Sequence, residues 1–257
     1  MSSKDKVLEF LENNKENYIS GEAMATSLGL SRNSIWKAIN ELRKAGYNID
    51  AVSNKGYKLA GANDILSAAG IMAEFNDDAS ANLLERILVF DNVDSTNKVA
   101  KEMAISGCAS STLVVAKTQG TGKAHKQGVF QSPDGGIYMS IILTPENLAL
   151  DDSASITGDL GQKVANAISS CCGITPTIKP INNLYVDDKK VCGILTESGQ
   201  EFDSGLVQWI VIGIGIYFDA DTATLPSGVG SLFAPGTAPV SKNALIAKIY
   251  QSIIDII

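Results

Sequence analysis

The chain has 257 residues, which suggests one or two domains with room for a sizeable core. Its 45% hydrophobic and 19% charged residues are those of a globular protein, and no apolar run reaches the ~18 residues of a membrane span. A net charge of −7, one histidine (His125) and four cysteines without ligand spacing exclude a generally basic chain, a two-histidine metal centre and a zinc-finger framework, so no metal site is expected. The first residues, MSSKDKVLEFLENNKENY, are amphipathic and acidic and do not resemble an export signal. A cytoplasmic location with free thiols at Cys108, Cys171, Cys172 and Cys192 is therefore expected.

In chain order, residues 4–15 read as a first helix with Val7, Leu8, Phe10 and Leu11 inward. Leu28-Gly29-Leu30 then places a glycine where two helices must change direction. Ser31 stands where an N-cap is needed, and Ile35, Ala38, Ile39 and Leu42 recur at helical spacing to form one apolar face. The other face carries Arg32, Asn33, Lys37, Arg43 and Lys44. Gly46 ends this helix. A small hairpin follows, with its tip at Asn54-Lys55-Gly56.

That arrangement is a winged helix-turn-helix. Its charge points to nucleic acid: residues 31–60 hold six Lys/Arg and two acids, a net of +4 within an acidic chain. Helices used only for packing are the plainer alternative. For operator DNA, the residues expected at the interface are Ser31, Arg32, Asn33, Ser34, Lys37, Arg43, Asn54 and Lys55.

The domain organisation expected is a DNA-binding domain at 1–60, a linker at 61–66 and a second domain at 67–257. The second domain opens with a short helix and then alternates β-rich runs with helical ones. The strands are expected at 87–91, 112–118, 136–144, 183–187, 190–198 and 208–218, and the helices at 95–106, 155–171 and 241–257. This mixture without strict βαβ alternation predicts an α+β, or mixed α/β, fold.

Four segments of that domain carry candidate chemistry. Asp94-Ser95-Thr96-Asn97 ends a strand and opens a helix, where its side chains either cap the helix or meet a small polar ligand. Residues 118–128 form a glycine-rich, lysine-bearing loop that can cradle an anion, although it is not a P-loop. Lys179-Pro180 precedes two amides, Asn182 and Asn183, at a strand start; this is either an ordinary turn or a cation placed beside a carboxylate or phosphate. Gly213 and Gly215 lie in an apolar strand and permit close approach by a ligand or another backbone.

Together, the N-terminal module and the stretches DSTN, SPDGGIYMSIIL, KPINNLYV, KVCGILTE and IGIGI resemble the bifunctional biotin protein ligases that also repress the biotin operon. The resemblance covers nearly the whole chain. It implies a ligase-like domain that joins biotin to ATP as biotinyl-adenylate and acylates a lysine of a biotin carrier protein. It also implies a homodimer that binds operator DNA with the adenylate as effector. On this basis Ser95, Thr96 and Asn97 would line the biotin pocket together with Gly193. Lys117, Thr121, Gly122 and Lys123 would belong to the closing loop, and Lys179 would be the cation at the reacting carboxylate and α-phosphate.

The chain also departs from the family pattern. The family loop resembles Gln-Thr-x-Gly-Arg-Gly-Arg-x-Gly-Arg. Here Lys117 replaces the glutamine, Thr121 and Lys123 replace the first two arginines, and Lys126 is the candidate for the third. Lysine lacks the bidentate grip of arginine, and threonine carries no charge. Asn183 replaces an acid and Tyr217 an asparagine, and a C-terminal β-barrel of the SH3 type is not expected after the helix that reaches Ile257. The leading expectation is a transcriptional regulator on a ligase scaffold, with biotin or a related effector and weak or absent ligase activity. The alternative is an active ligase-repressor, in which ATP and magnesium also take part.

Overall fold

The structure is a computed structural model that describes residues 2–15, 17–60, 65–75, 84–122, 129–144, 159–180, 182–200 and 206–254. The chain forms two compact units, Met1–Asp78 and Ala79–Ile257.

In the first unit, α1 (Ser3–Glu12), α2 (Gly21–Leu28) and α3 (Arg32–Lys44) pack around Val7, Leu11, Met24, Ile35, Ile39 and Leu42. Each helix has its own start signal. The hydroxyls of Ser2, Ser20 and Ser31 accept the backbone N–H of Asp5, Ala23 and Ser34, satisfying donors that a bare helix end would leave unpaired. Gly29 ends α2 in the left-handed region at φ 62°, which produces the tight turn expected from Leu28-Gly29-Leu30.

The wing is the antiparallel pair β1 (Ile49–Val52) and β2 (Gly56–Leu59), with Asn54 at φ 66° in its tip. A bridge between Ile19 and Tyr57 ties it to the segment ahead of α2, with both backbone hydrogen bonds at 2.8 Å. This contact needs Gly56. The residue sits at φ 108°, and a Cβ there would overlap the carbonyl group of Ile19.

A short helix α4 (Ala68–Met72) starts at the Ser67 cap, and its Ala69 joins the core of the first unit, as does the preceding Ile65. The compact division thus falls after Asp78, not within the 61–66 linker expected from composition. The apolar face of α4 is buried with α1, so it belongs to the first unit. Residues 61–64 lie outside the described residues.

The second unit is built on a seven-stranded mixed sheet in the order β3-β4-β5-β9-β8-β7-β6. Its strands are β3 (Ile87–Val93), β4 (Thr112–Gln119), β5 (Gly136–Leu143), β6 (Thr177–Lys179), β7 (Asn183–Val186), β8 (Lys189–Gln200) and β9 (Val207–Tyr217). Only β3 and β4 run parallel; between them α5 (Thr96–Ile105) makes the crossover that parallel neighbours require. Every residue of β5 is buried, as a strand covered on both faces requires. Under α5 lie Val114, Ile142 and Val211, while α6 (Leu160–Cys172) and α7 (Lys242–Ile254) pack against each other. The strong apolar runs seen in the sequence thus become the central strands β4, β5 and β9. The described part of the chain is α+β.

Substituting Gly56→Ala should destabilise the wing by about 2 kcal/mol or more, because the new methyl group meets backbone. Gly107→Ala carries a similar φ of 79° but has open space around it and should cost less. Urea unfolding of the two variants checks this order.

Candidate functional site

The second unit holds a cavity of about 200 Å³ above the middle of β8 and β9, where α5 begins. Ser95, Thr96, Asn97, Gln119, Phe130, Asn183 and Lys190 surround it with the backbone of 193–195 and 213–215. Of the positions expected for the ligand, Ser95, Thr96, Asn97 and Gly193 therefore come together here.

Ser95 is the N-cap residue of α5 but makes no side-chain capping bond. The cap comes from β4: Gln119 Oε1 accepts the Thr96 N–H at 2.8 Å and lies 3.2 Å from the Thr96 hydroxyl. Gln119 Nε2 donates to the Ser132 hydroxyl at 2.9 Å. The carboxamide of Gln119 is thus docked on the positive end of a helix, a place that favours oxygen ligands.

Asn97 points under the helix. Its Nδ2 donates to Glu197 Oε2 at 2.9 Å and to the Leu195 carbonyl at 3.4 Å, while its Oδ1 takes the Ser140 hydroxyl at 2.7 Å. Glu197 also receives Lys101 Nζ at 2.9 Å, and Ser140 lies 2.8 Å from Thr96 Oγ1. Gly213 makes this possible, since a Cβ there would overlap the Asn97 amide. Gly215 in turn lies under the Phe130 ring, which stacks on Tyr217 at 5.1 Å. The two strand glycines anticipated as places for a ligand's close approach thus admit this chain's own side chains.

Lys190 is the cation of the cavity. Its ammonium lies 5.7 Å from the centre of the Phe130 ring, and burial pulls its pKa below the ordinary 10.5, only partly offset by Cys192. Cys192 itself is fully buried, and burial pushes its thiol up to about 12, so it is not a thiolate nucleophile at neutral pH. No disulfide joins the four cysteines; Cys192 is buried, while Cys108, Cys171 and Cys172 are half-buried. Among the described residues no group of three or more His, Cys, Asp or Glu could hold a metal, and no helix is long and apolar enough to cross a membrane.

The residue expected as the reacting-group cation lies outside this cavity. Lys179, at the end of edge strand β6, does not line the cavity. Its Nζ donates to Asp188 at 2.9 Å and lies 4.4 Å from the Tyr185 ring centre. The β7–β8 hairpin delivers Asp188 to it: Asp187 and Asp188 form a two-residue loop with both φ values positive, 48° and 60°. Lys117 is likewise outside, exposed and paired with Asp91 at 2.5 Å. Thr121 donates to the Asp94 carbonyl at 3.3 Å from the rim, and Gly122 packs against Phe130 and Ser132. Lys123 lies outside the described residues, as do His125 and Lys126.

Sequence reasoning missed Lys190, Gln119 and Phe130. A period-two reading of 189–195 does not find the first, since it groups Lys190 with Cys192 and Ile194, on the face opposite Gly193.

In the first unit, the residues expected to face DNA divide into two groups. Asn33, Lys37, Asn54 and Lys55 are exposed on α3 and the wing tip. The others have local duties: Ser31 caps α3 and its hydroxyl meets that of Ser34 at 2.8 Å, and Arg32 pairs with Glu22 on α2. Arg43 is also exposed, and its Nε and Nη2 both donate to the Ile49 carbonyl, at 3.1 and 2.6 Å, fastening the wing to α3.

Residues 4–58 match the model of an HTH domain and residues 89–216 that of the biotin/lipoate A/B protein ligase family. The bifunctional ligase/repressor BirA of Bacillus spizizenii is 34% identical over 86% of this chain, and that of Bacillus subtilis 35% over 82%. The matched stretches cover 66% and 63% of those proteins, so the chain spans just under two thirds of its curated relatives' length. In fold, the second unit is similar to the biotin protein ligase of Leishmania major solved with biotinyl-5-AMP (TM-score 0.55, 19% identity, 66% of this chain and 74% of that one). It is also similar to the Aquifex aeolicus enzyme solved with biotin and ATP (TM-score 0.52, 23% identity, 66% and 68%). The chain therefore belongs to the biotin/lipoate A/B protein ligase family, among the members that carry an N-terminal helix-turn-helix domain.

Proposed function

We propose that this protein is a DNA-binding transcriptional repressor whose ligase-type domain binds biotin as effector. The observation that carries the reading is the cavity at the start of α5, where polar groups, an aromatic wall and one desolvated lysine converge. Biotin presents a urea, an apolar bicyclic ring and a terminal carboxylate. Ser95 and the backbone around it offer hydrogen bonds to the urea, Phe130 and Ile214 offer apolar surface, and Lys190 offers the cation for the carboxylate.

Lys190 also supports the second reading, an active ligase. Attack of the carboxylate on the α-phosphate of ATP builds negative charge that a cation in this position stabilises, and pyrophosphate leaves as the acyl-adenylate forms. Against it stand Lys117 and Thr121, which engage Asp91 and Asp94 instead of the cavity. A biotin carrier protein and magnesium belong only to this second reading. A homodimer is proposed for the repressor, since two-fold operators demand two reading heads at fixed spacing.

Isothermal titration with biotin, with and without ATP, tests the pocket. Lys190→Ala should weaken biotin binding about tenfold to a hundredfold, from the ~1.5–3 kcal/mol of a charge-assisted hydrogen bond, while Lys179→Ala leaves it unchanged. No heat with biotin would sink the effector assignment, and adenylate in the product would move the chain to the ligase reading. The contact needs the protonated lysine, so affinity is full below the depressed pKa of Lys190. It should fall as pH rises through that pKa, before the ordinary lysine value of 10.5 is reached. On the DNA side, Lys37→Ala should weaken binding to all duplexes alike and reduce the slope of log K against log salt by about one. A slope equal to wild type would remove α3 from the interface.

A further inference from the structure

An indole stands where a DNA-binding helix would ordinarily show polar groups. Trp36 is 56% exposed in the middle of the outward face of α3, one turn after Arg32 and next to Lys37. It forms a ridge between two surface recesses. One is lined by Lys37, Asn40 and Lys44, and the other by Arg32, Asn54 and Val52 of the wing. Val52 is itself 39% exposed, so two of the large exposed apolar side chains among the described residues border one recess. Nothing in the packing of the unit uses this surface. Its core is filled by the opposite face of α3, through Ile35, Ala38, Ile39 and Leu42. Large apolar groups exposed together on a functional face usually mark contact with a partner.

The surroundings select the partner. Arg32, Lys37, Arg43 and Lys44 border the two recesses beside the indole against the acids Glu22 and Glu41, a net positive rim in a chain whose net charge is −7, so the surface suits a polyanion better than an apolar protein partner. A duplex offers one apolar group in its major groove, the 5-methyl of thymine, while the other base-edge groups there are donors and acceptors. We propose that Trp36, backed by Val52, reads thymine by packing on its methyl group, and so sets sequence specificity at the base pair beneath the centre of α3. The inference rests on the assignment of α3 and the wing to DNA. The lysines around the indole supply affinity without sequence information, and the indole supplies sequence information without charge.

The test places the main change in the DNA, so it does not depend on the folding of a variant. A duplex selected from a random-sequence pool by the full-length wild-type chain, with biotin and ATP supplied, is synthesised with thymine and with deoxyuridine at each position in turn. Deoxyuridine differs from thymine only in the missing methyl group. Wild type should bind about fourfold less tightly for each contacted methyl removed. Trp36→Ala should bind thymine and deoxyuridine duplexes alike, with the salt slope of wild type and an unchanged unfolding midpoint. Wild type that binds with a salt slope but ignores deoxyuridine everywhere overturns the proposal alone. The same follows if Trp36→Ala keeps the discrimination, or if it keeps wild-type DNA selection and changes only self-association. A wild-type chain that binds no duplex in a salt-dependent way removes the DNA assignment and this proposal with it.

Discussion

The second unit depends on the amide of Asn97. Every hydrogen-bonding group of that side chain is used: both amide protons go to β8, through Glu197 and Leu195, and the oxygen goes to Ser140 of β5. Beneath it, β9 carries the glycine that leaves the room. One side chain thus fixes the first turn of α5 over three neighbouring strands. A buried amide left half-bonded costs about 1–3 kcal/mol, so the arrangement holds only as a whole. The cavity exists because this turn cannot settle further onto the sheet.

The same saturation separates the polar residues around the cavity into two kinds. Asn97 and Ser140 are occupied with one another and hold the frame. Ser95, without a capping bond, and Lys190, desolvated and set against Phe130, retain capacity for something else. A run such as Ser95-Thr96-Asn97 looks uniform in a sequence, yet its members have unlike roles. In the first unit a similar division holds among the basic residues: Arg43 is spent on the Ile49 carbonyl and Arg32 on Glu22, while Lys37 and Lys55 are free to face outward.

Much of this architecture could be read from residue patterns. The three helices and the wing follow from serine caps, the Gly29 turn and the spacing of Ile35, Ala38, Ile39 and Leu42, all local signals acting over one or two turns. The strand at 112–118 becomes Thr112–Gln119, and that at 208–218 becomes Val207–Tyr217, because long β-branched runs leave little choice of conformation. What escaped was placement across the sheet. Lys179 beside a proline reads as part of a site, yet its place on the edge strand β6, beside the carboxylate that the positive-φ hairpin at Asp187-Asp188 brings to it, was not legible in the sequence. Lys190 is set by pairing with Tyr185 of β7 and with Val229 beyond β9, and the second of these is far from it in the chain. Gln119 was passed over for the same reason: its partner, the Thr96 N–H, is on another element.

Gln119 gives this site a property that a plain pocket lacks. Its carboxamide occupies the helix end that an entering carbonyl would seek, so a ligand oxygen aimed at the Thr96 N–H would have to displace it. Such a ligand would bind with its intrinsic affinity reduced by the fraction of molecules in which that side chain has swung away. Ser132, the partner on the far side of the amide, would then bear on that fraction without touching the ligand.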